Sequence, residues 1–331
     1  MEETKKPHVV VIGGGTGTFV ALSGLKKYPV YLSAIITMMD SGGSSGRLRD
    51  ELGVLPPGDV RQCLVALAKS SLLLREMFNY RFEEGGLAGH TFGNIFLSTL
   101  AKTTGSMKKA IEEVGKILRI QGRVVPVTFS KSDLCVELEN GKVIMGETHI
   151  DVVKKREKRA PIVRAFLEPA VVVNPDAVSA ILEADTILIG PGDLYTSIIP
   201  NLLVPGIASA IKKSKATTIF ALNLMTKYGQ TTNYTASDHI RDLEKYLGKH
   251  VVDIVLMNTK KPRRPALDWY ADYGENPVVD DIGDTKEYKV VRGNFIKEAV
   301  LKKEKQDVLK RSIIRHDPDR LAREVITLTI A

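Results

Sequence analysis

The sequence predicts a doubly wound, mostly parallel α/β fold of Rossmann-like type that carries a small antiparallel β insertion. Three observations predict it. Strand and helix signals alternate along most of the chain. The first strand signal, Val9-Val10-Val11-Ile12, has no polar alternation, which suits a parallel strand covered on both faces. Glycine-rich turns follow strand signals after Ile12, after Thr37 and after Ile189, where doubly wound sheets place their ligands.

Taken in order, strands are predicted at 9–12, 32–37, 186–189, 217–221 and 251–256. Helices are predicted at 16–27, 59–70, 72–78, 94–102, 106–118, 175–183, 201–213 and 236–247. The helix after the first strand is marked by Phe19, Val20, Leu22 and Leu25 at helical spacing. Between 122 and about 150 the pattern changes. Short strand signals at 124–128, 134–138 and 142–145, with Asn140-Gly141 as a two-residue hairpin turn, read as the antiparallel insertion. The run 154–159 reads as an exposed linker. A last helix starts at about 317, where Asp317-Pro318 offers an N-cap and a first-turn proline. The whole is read as one domain over 1–331.

The 331 residues are 44% hydrophobic and 26% charged, ordinary for a globular protein. No apolar run approaches the roughly 20 residues of a membrane helix, and residues 1–7 lack a signal-peptide core. Cys63 and Cys135 provide neither a disulfide framework nor a four-ligand zinc pattern. A cytoplasmic location is expected, with no membrane partner. The net charge is +8, with basic runs at 154–159, 260–264 and 301–315, yet aromatic residues are only 6% and do not interleave with them. These runs read as solvated faces rather than a nucleic-acid surface, and their field favours an anionic small molecule.

The chemistry is concentrated at the turns. Gly13, Gly14, Gly15, Thr16 and Gly17 lie between a strand and a helix start, where free amides and the helix dipole attract phosphate. Against the dinucleotide fingerprint the third glycine arrives one residue early, and Asp40 takes the place of the ribose-binding acid. Asp40-Ser41-Gly42-Gly43-Ser44-Ser45-Gly46-Arg47 reads as a mobile loop with hydroxyl and amide donors, and Arg47 and Arg49 add charge suited to phosphate. Asp59 reads as the cap of its own helix, Arg61 as a residue facing the cleft, and His90 as a ligand contact or acid/base candidate. Gly190, Pro191, Gly192, Tyr195 and Thr196 form a second strand-turn-helix unit for the other end of the ligand. Asn201 and Asn223 are placed to read a base or sugar, and Arg315 supplies a cation before the last helix. No nucleophile elbow and no Walker lysine stands out.

These motifs together resemble the YvcK family of gluconeogenesis factors, which is related to CofD, the 2-phospho-L-lactate transferase of deazaflavin coenzyme synthesis. The resemblance is carried by IGGGTGT (12–18), DSGGSSGRLRDEL (40–52), PPGDVRQCLVALA (56–68), GHTFGNIFL (89–97), GRVVPVT (122–128), ENGKVIMGET (139–148), IGPGDLYTSIIPNLLVPGI (189–207), NLMTKYGQTTNYTASDHI (223–240) and IRHD (314–317). It implies a cytoplasmic protein that binds a UDP-sugar such as UDP-N-acetylglucosamine and supports cell-wall homeostasis and cell shape on gluconeogenic carbon sources. The implied contacts are the Gly13–Gly17 and Gly190–Gly192 turns, Asn201 and Arg315. The alternative it implies is a CofD-like transfer of a phospho-lactyl group to a deazaflavin, with magnesium.

The chain departs from the family pattern at four positions. Ser41 stands where a second acid is usual, Gln230 where a glutamate is usual, Asp193 where a serine is usual, and Pro318 where some members carry a phosphorylated threonine. The first two remove acids that could hold a metal or act as a base. The expectation is therefore a regulatory binding protein with no required cofactor, no metal and no catalytic residue, for which a homodimer is a possible state.

Overall fold

The computed structural model describes residues 6–153, 158–297 and 313–330. Its main sheet has seven parallel strands: β1 (His8–Gly13), β2 (Tyr31–Ile36), β3 (Arg123–Pro126), β7 (Thr186–Ile189), β8 (Thr217–Ala221), β9 (Ile254–Asn258) and β10 (Lys289–Gly293). The remaining strands, β4 (Asp133–Leu138), β5 (Val143–Met145) and β6 (Ile162–Glu168), form a small antiparallel sheet ordered β5-β4-β6.

The main sheet is ordered β10-β9-β8-β7-β1-β2-β3. From β1 the chain winds one way to β2 and β3, and from β7 it winds the other way to β8, β9 and β10. The direction therefore reverses between β1 and β7, and the crevice at such a reversal is where open parallel sheets bind ligands. Apolar residues without alternation are required because both faces are covered. Val10, Ile12, Ile187, Ile189 and Phe220 enter one core layer, while Val9, Val11, Leu188, Ile219 and Ala221 enter the other.

The helices fill both layers. On the face of Val9 and Val11 lie α1 (Gly15–Leu25), α3 (Gly58–Leu67), α5 (Phe92–Thr104), α6 (Met107–Leu118) and α13 (Pro318–Ile330). On the opposite face lie α8 (Pro175–Leu182), α10 (Ile207–Lys213) and α11 (Ala236–Leu247), together with the buried side of the small sheet through Leu134, Val136 and Ile162. Helices α2 (Gly43–Leu52), α4 (Leu72–Asn79), α7 (Glu147–Asp151), α9 (Ile199–Leu202) and α12 (Arg264–Ala271) complete the set. Asp317 caps α13, its Oδ1 accepting the amides of Asp319 at 3.0 Å and Arg320 at 2.9 Å, and Pro318 opens the helix.

Several sequence expectations need correction. The 124–128 signal is not part of the insertion: Arg123–Pro126 pairs in parallel with β2, and its edge position tolerates Pro126. Val124 and Val125 face opposite, equally covered layers, so their lack of alternation was the mark of the main sheet. The insertion instead begins at Asp133 and is completed by β6, beyond the expected boundary. Its hairpin loop holds three residues: Leu138 N donates to Lys142 O at 2.9 Å and Gly141 N to Leu138 O at 2.8 Å, with Gly141 at φ 79°. The expected helix 201–213 is broken by Val204-Pro205-Gly206, where Gly206 has φ 98°. The expected loop 40–47 is helical from Gly43 on, where α2 starts, and its Gly46 sits where a Cβ would lie 2.0 Å from the Ser41 carbonyl. Residues 154–157 of the expected linker and 298–312, most of the basic run 301–315, lie outside the described residues. Among the described residues no single helix is long and apolar enough to cross a membrane.

Candidate functional site

Two glycine turns meet at the reversal point. The turn after β1 starts α1 at Gly15, in the left-handed region at φ 61°, where glycine avoids the steric cost of a side chain. A Cβ on Gly17 would lie 2.0 Å from the carbonyl oxygen of Pro191, so the two turns pack backbone against backbone. They floor a cleft of about 550 Å³ that runs over the carboxyl ends of β8, β7, β1 and β2.

The structure brings most of the expected contacts into this cleft. Gly14, Gly15, Thr16, Gly17, Asp40, Ser44 and Ser45 line it from one side, and Pro191, Gly192, Thr196, Asn223 and Arg315 from the other. Gly13, Gly190, Tyr195 and Asn201 do not line it. Gly13 closes strand β1 behind the cleft, and Gly190 lies under the second turn. Tyr195 is fully buried and donates its hydroxyl to Asp242 Oδ2 at 2.6 Å. Asn201 is fully buried too, donating to Gly13 O at 3.1 Å and Ser197 O at 2.8 Å. Arg49 is turned away and pairs with Asp133 at 2.7 Å. His90 sits behind Ser44, with Nδ1 3.1 Å from Ser44 Oγ, and burial holds its pKa below the ordinary imidazole value.

The centre of the cleft is acidic. Asp40, Asp59, Glu147 and Asp151 line it, with Lys227 among them. Asp40 Oδ1 accepts the Gly42 amide at 2.8 Å, and burial raises its pKa. Asp59 does not cap its own helix; it accepts a hydrogen bond from the Gly15 backbone, and a Cβ on Gly14 would lie 2.6 Å from its Oδ2. Burial, reinforced by the nearby Asp40 charge, pushes the Asp59 carboxyl up to about 7. Burial raises Glu147 as well, with Asp40, Asp151 and Asp59 adding to the effect. Lys227 Nζ lies 2.9 Å from Asp151 and 3.5 Å from Asp193. Its burial disfavours the ammonium, but Asp193, Asp151 and Glu275 together outweigh that and hold the charge in place.

The departures acquire physical meaning here. Ser41 Oγ accepts the Thr148 amide at 3.0 Å and so anchors α7, which carries Glu147. Gln230 is buried and donates to Asp151 Oδ1 at 3.1 Å. The charge of Asp193 is balanced by Lys227, which reduces the repulsion it would exert on a phosphate.

The two ends of the cleft differ. Beyond β8 it is walled by Leu224, Met225, Tyr270 and Ile314, with Arg315 and His316 beside them. His316 is buried, and burial lowers its pKa to about 4, so it is a neutral wall at pH 7. Asn223 Oδ1 is buried in the described structure without a hydrogen-bond partner, an arrangement that a ligand N–H would relieve. Beyond β2 the cleft is basic, through Arg47, Arg61 and Arg81.

Glu147, Asp151 and Lys227 were not singled out from the sequence. Glu147 and Lys227 do fall inside the segments ENGKVIMGET and NLMTKYGQTTNYTASDHI, but neither has a local spacing that marks it. Long-range folding alone brings them together. Among the described residues no group of three or more His, Cys, Asp or Glu side chains is arranged to hold a metal ion. The acids fit instead as hydrogen-bond acceptors.

A parallel sheet that reverses between two glycine turns, with one cleft across its carboxyl edge, defines the class: a doubly wound α/β protein of the dinucleotide-fold type. The family follows from comparison. The model described as 2-phospho-L-lactate transferase CofD matches residues 9–296, and the chain belongs to the CofD family. A gluconeogenesis factor from Bacillus subtilis is 38% identical over 325 residues, covering 98% of this chain and 98% of its own length. A relative from Aquifex aeolicus is 41% identical over 331 residues, with 98% and 97% covered. The crystal structure of a UPF0052-family protein from Bacillus halodurans superposes with a TM-score of 0.88 at 38% identity, covering 98% of this chain and 99% of that one.

Proposed function

We propose that this protein is a regulatory sensor of nucleotide sugars, acting in the cytoplasm as a gluconeogenesis factor, and that its cleft binds a UDP-sugar. The observation that carries this reading is the contact of the Gly17 and Pro191 turns at the sheet reversal, with Arg315 on the same cleft. The amides of the first turn, the hydroxyls of Thr196 and Ser197, and Arg315 offer donors to a diphosphate. Leu224, Met225, Tyr270 and Ile314 offer an apolar berth for the base, with Asn223 Oδ1 as acceptor for a base N–H. Asp40, Asp59 and Glu147 are suited to accept sugar hydroxyls. By analogy with the gluconeogenesis factors it is similar to, the bound state would report nucleotide-sugar supply for cell-wall homeostasis and cell shape.

Thermal-shift titration tests the reading. A ligand at one hundred times its dissociation constant stabilises the fold by about 2.7 kcal/mol, so a saturable rise in melting temperature with UDP-glucose or UDP-N-acetylglucosamine is expected. No shift at millimolar ligand would refute it.

A second reading is a phospho-lactyl transferase with a deazaflavin acceptor. One observation favours it beside the family match: Asp59, with its carboxyl near 7, is suited to take a proton from an attacking hydroxyl. Product formation from a guanylyl phospho-lactate donor would promote this reading over the first.

A further inference from the structure

In the proposed UDP-sugar pose the basic end of the cleft contacts neither the base nor the diphosphate. We propose that it is a second anion subsite, and that the preferred ligand is a UDP-sugar whose sugar carries a carboxylate. This rests on the reading of the cleft as a nucleotide-sugar site and extends it to the identity of the sugar.

The order of the sheet sets the orientation. The apolar wall of Leu224, Met225 and Tyr270 follows β8 and β9, the two glycine turns follow β7 and β1, and Arg47 follows β2 on α2. Strands in a sheet are about 4.8 Å apart, so β8 to β2 spans about 14 Å, the reach of an extended nucleotide sugar. With the base over Tyr270 and the diphosphate at the turns, the sugar lies over Asp40 and Asp59 and its far edge meets the arginines.

The arginines are positioned rather than loosely exposed. Arg47 Nη1 donates to Ala88 O at 2.9 Å, and Arg81 Nη1 donates to Gly89 O at 2.6 Å. Adjacent carbonyls thus pin two guanidinium groups at one rim of the cleft. Each fork has five N–H donors, so donors remain after these bonds. The nearest carboxylate to Arg47 is Glu51 at 3.8 Å, too long for a bidentate pair, and Arg81 makes no ion pair among the described residues. Buried Arg61 lines the same cleft, donates Nε to Asn94 Oδ1 at 2.9 Å, and adds a third positive charge. A guanidinium pair of this kind suits a planar carboxylate. Without it, an anionic sugar would face Asp40, Asp59 and Glu147, which repel it wherever they are ionised, with Lys227 already engaged by Asp151 and Asp193.

The test is calorimetric titration of the full chain with UDP-glucose and with UDP-glucuronate, which differ only at the sugar C6. The expected result is binding of the glucuronate about tenfold or more tighter, a preference that shrinks as salt is raised. In the double variant Arg47→Gln, Arg81→Gln the two ligands should bind alike. The comparison on the unaltered chain stands even if the variant folds poorly. Equal affinity for the two sugars, or weaker binding of glucuronate, would overturn the subsite while leaving the UDP-sugar reading intact. Binding of neither ligand would remove that reading and the subsite with it.

Discussion

The side-chain amide of Asn201 donates to the carbonyl of Gly13 at 3.1 Å, joining the helix after β7 to the end of β1 across 188 residues of chain. A second bond, to Ser197 O at 2.8 Å, fixes the amide from the segment just before α9. Asn201 is thus a tie between the two turns rather than a ligand contact. Asn201→Ala should cost about 1–3 kcal/mol of stability, because buried acceptors lose their donor. Urea unfolding measures this. Unchanged stability with lost ligand binding would instead make Asn201 a direct contact.

Arg315 differs, since it lines the cleft beside the apolar wall. Arg315→Ala should weaken UDP-sugar binding by about 1.5–3 kcal/mol, one to two powers of ten in Kd, as expected for a charge-assisted bond. Unaltered affinity in a titration would show that the diphosphate lies elsewhere.

Asp59 gives the fold a pH dependence of definite sign. Its carboxyl is raised from 3.8 to about 7 by burial and by Asp40. The native state therefore binds more protons than the unfolded chain between about pH 4 and pH 7. The stabilising contribution is complete below about pH 4 and is lost as pH rises through 7. Asp59→Asn, which keeps the shape and removes the titration, should gain stability relative to the parent on going from pH 5 to pH 8. At about 1.4 kcal/mol per pH unit the gain is bounded near 3 kcal/mol over that range. Denaturant unfolding at both pH values checks it, and a gain at pH 5 that disappears at pH 8 would reverse the sign.

Gly17 should not tolerate even a methyl group. The added Cβ would meet the Pro191 carbonyl oxygen at 2.0 Å, and backbone cannot swing aside as a flexible side chain can. Gly17→Ala should destabilise by about 1–3 kcal/mol or more and should weaken ligand binding by parting the turns. Melting curves and titrations that match the parent would show that the turns are not held in contact.

Much of this arrangement was legible in the residues. Val9–Ile12 announced a strand covered on two faces, and the glycines after Ile12 and Ile189 marked strand ends suited to a ligand. Helix α11 was legible in full because its apolar spacing and its Thr235 cap agree. What stayed hidden depended on distance or on context. Gly43–Leu52 has the composition of a loop, yet burial of Ser44, Ser45 and Leu48 makes it a helix. The meeting of Glu147, Asp151 and Lys227 with Asp40 joins segments more than a hundred residues apart, and no local pattern encodes it. Tyr195 and Asn201 carry polar groups that look functional in sequence but serve buried bonds to Asp242 and Gly13.

The central claim is that the turns and Arg315 hold a nucleotide diphosphate sugar without a metal. Calorimetric titration of the full chain with UDP-N-acetylglucosamine, once with a chelator and once with magnesium, tests it most directly. Saturable one-to-one binding with the same affinity in both is expected. Binding that requires magnesium, or no heat at millimolar ligand in either, would contradict it.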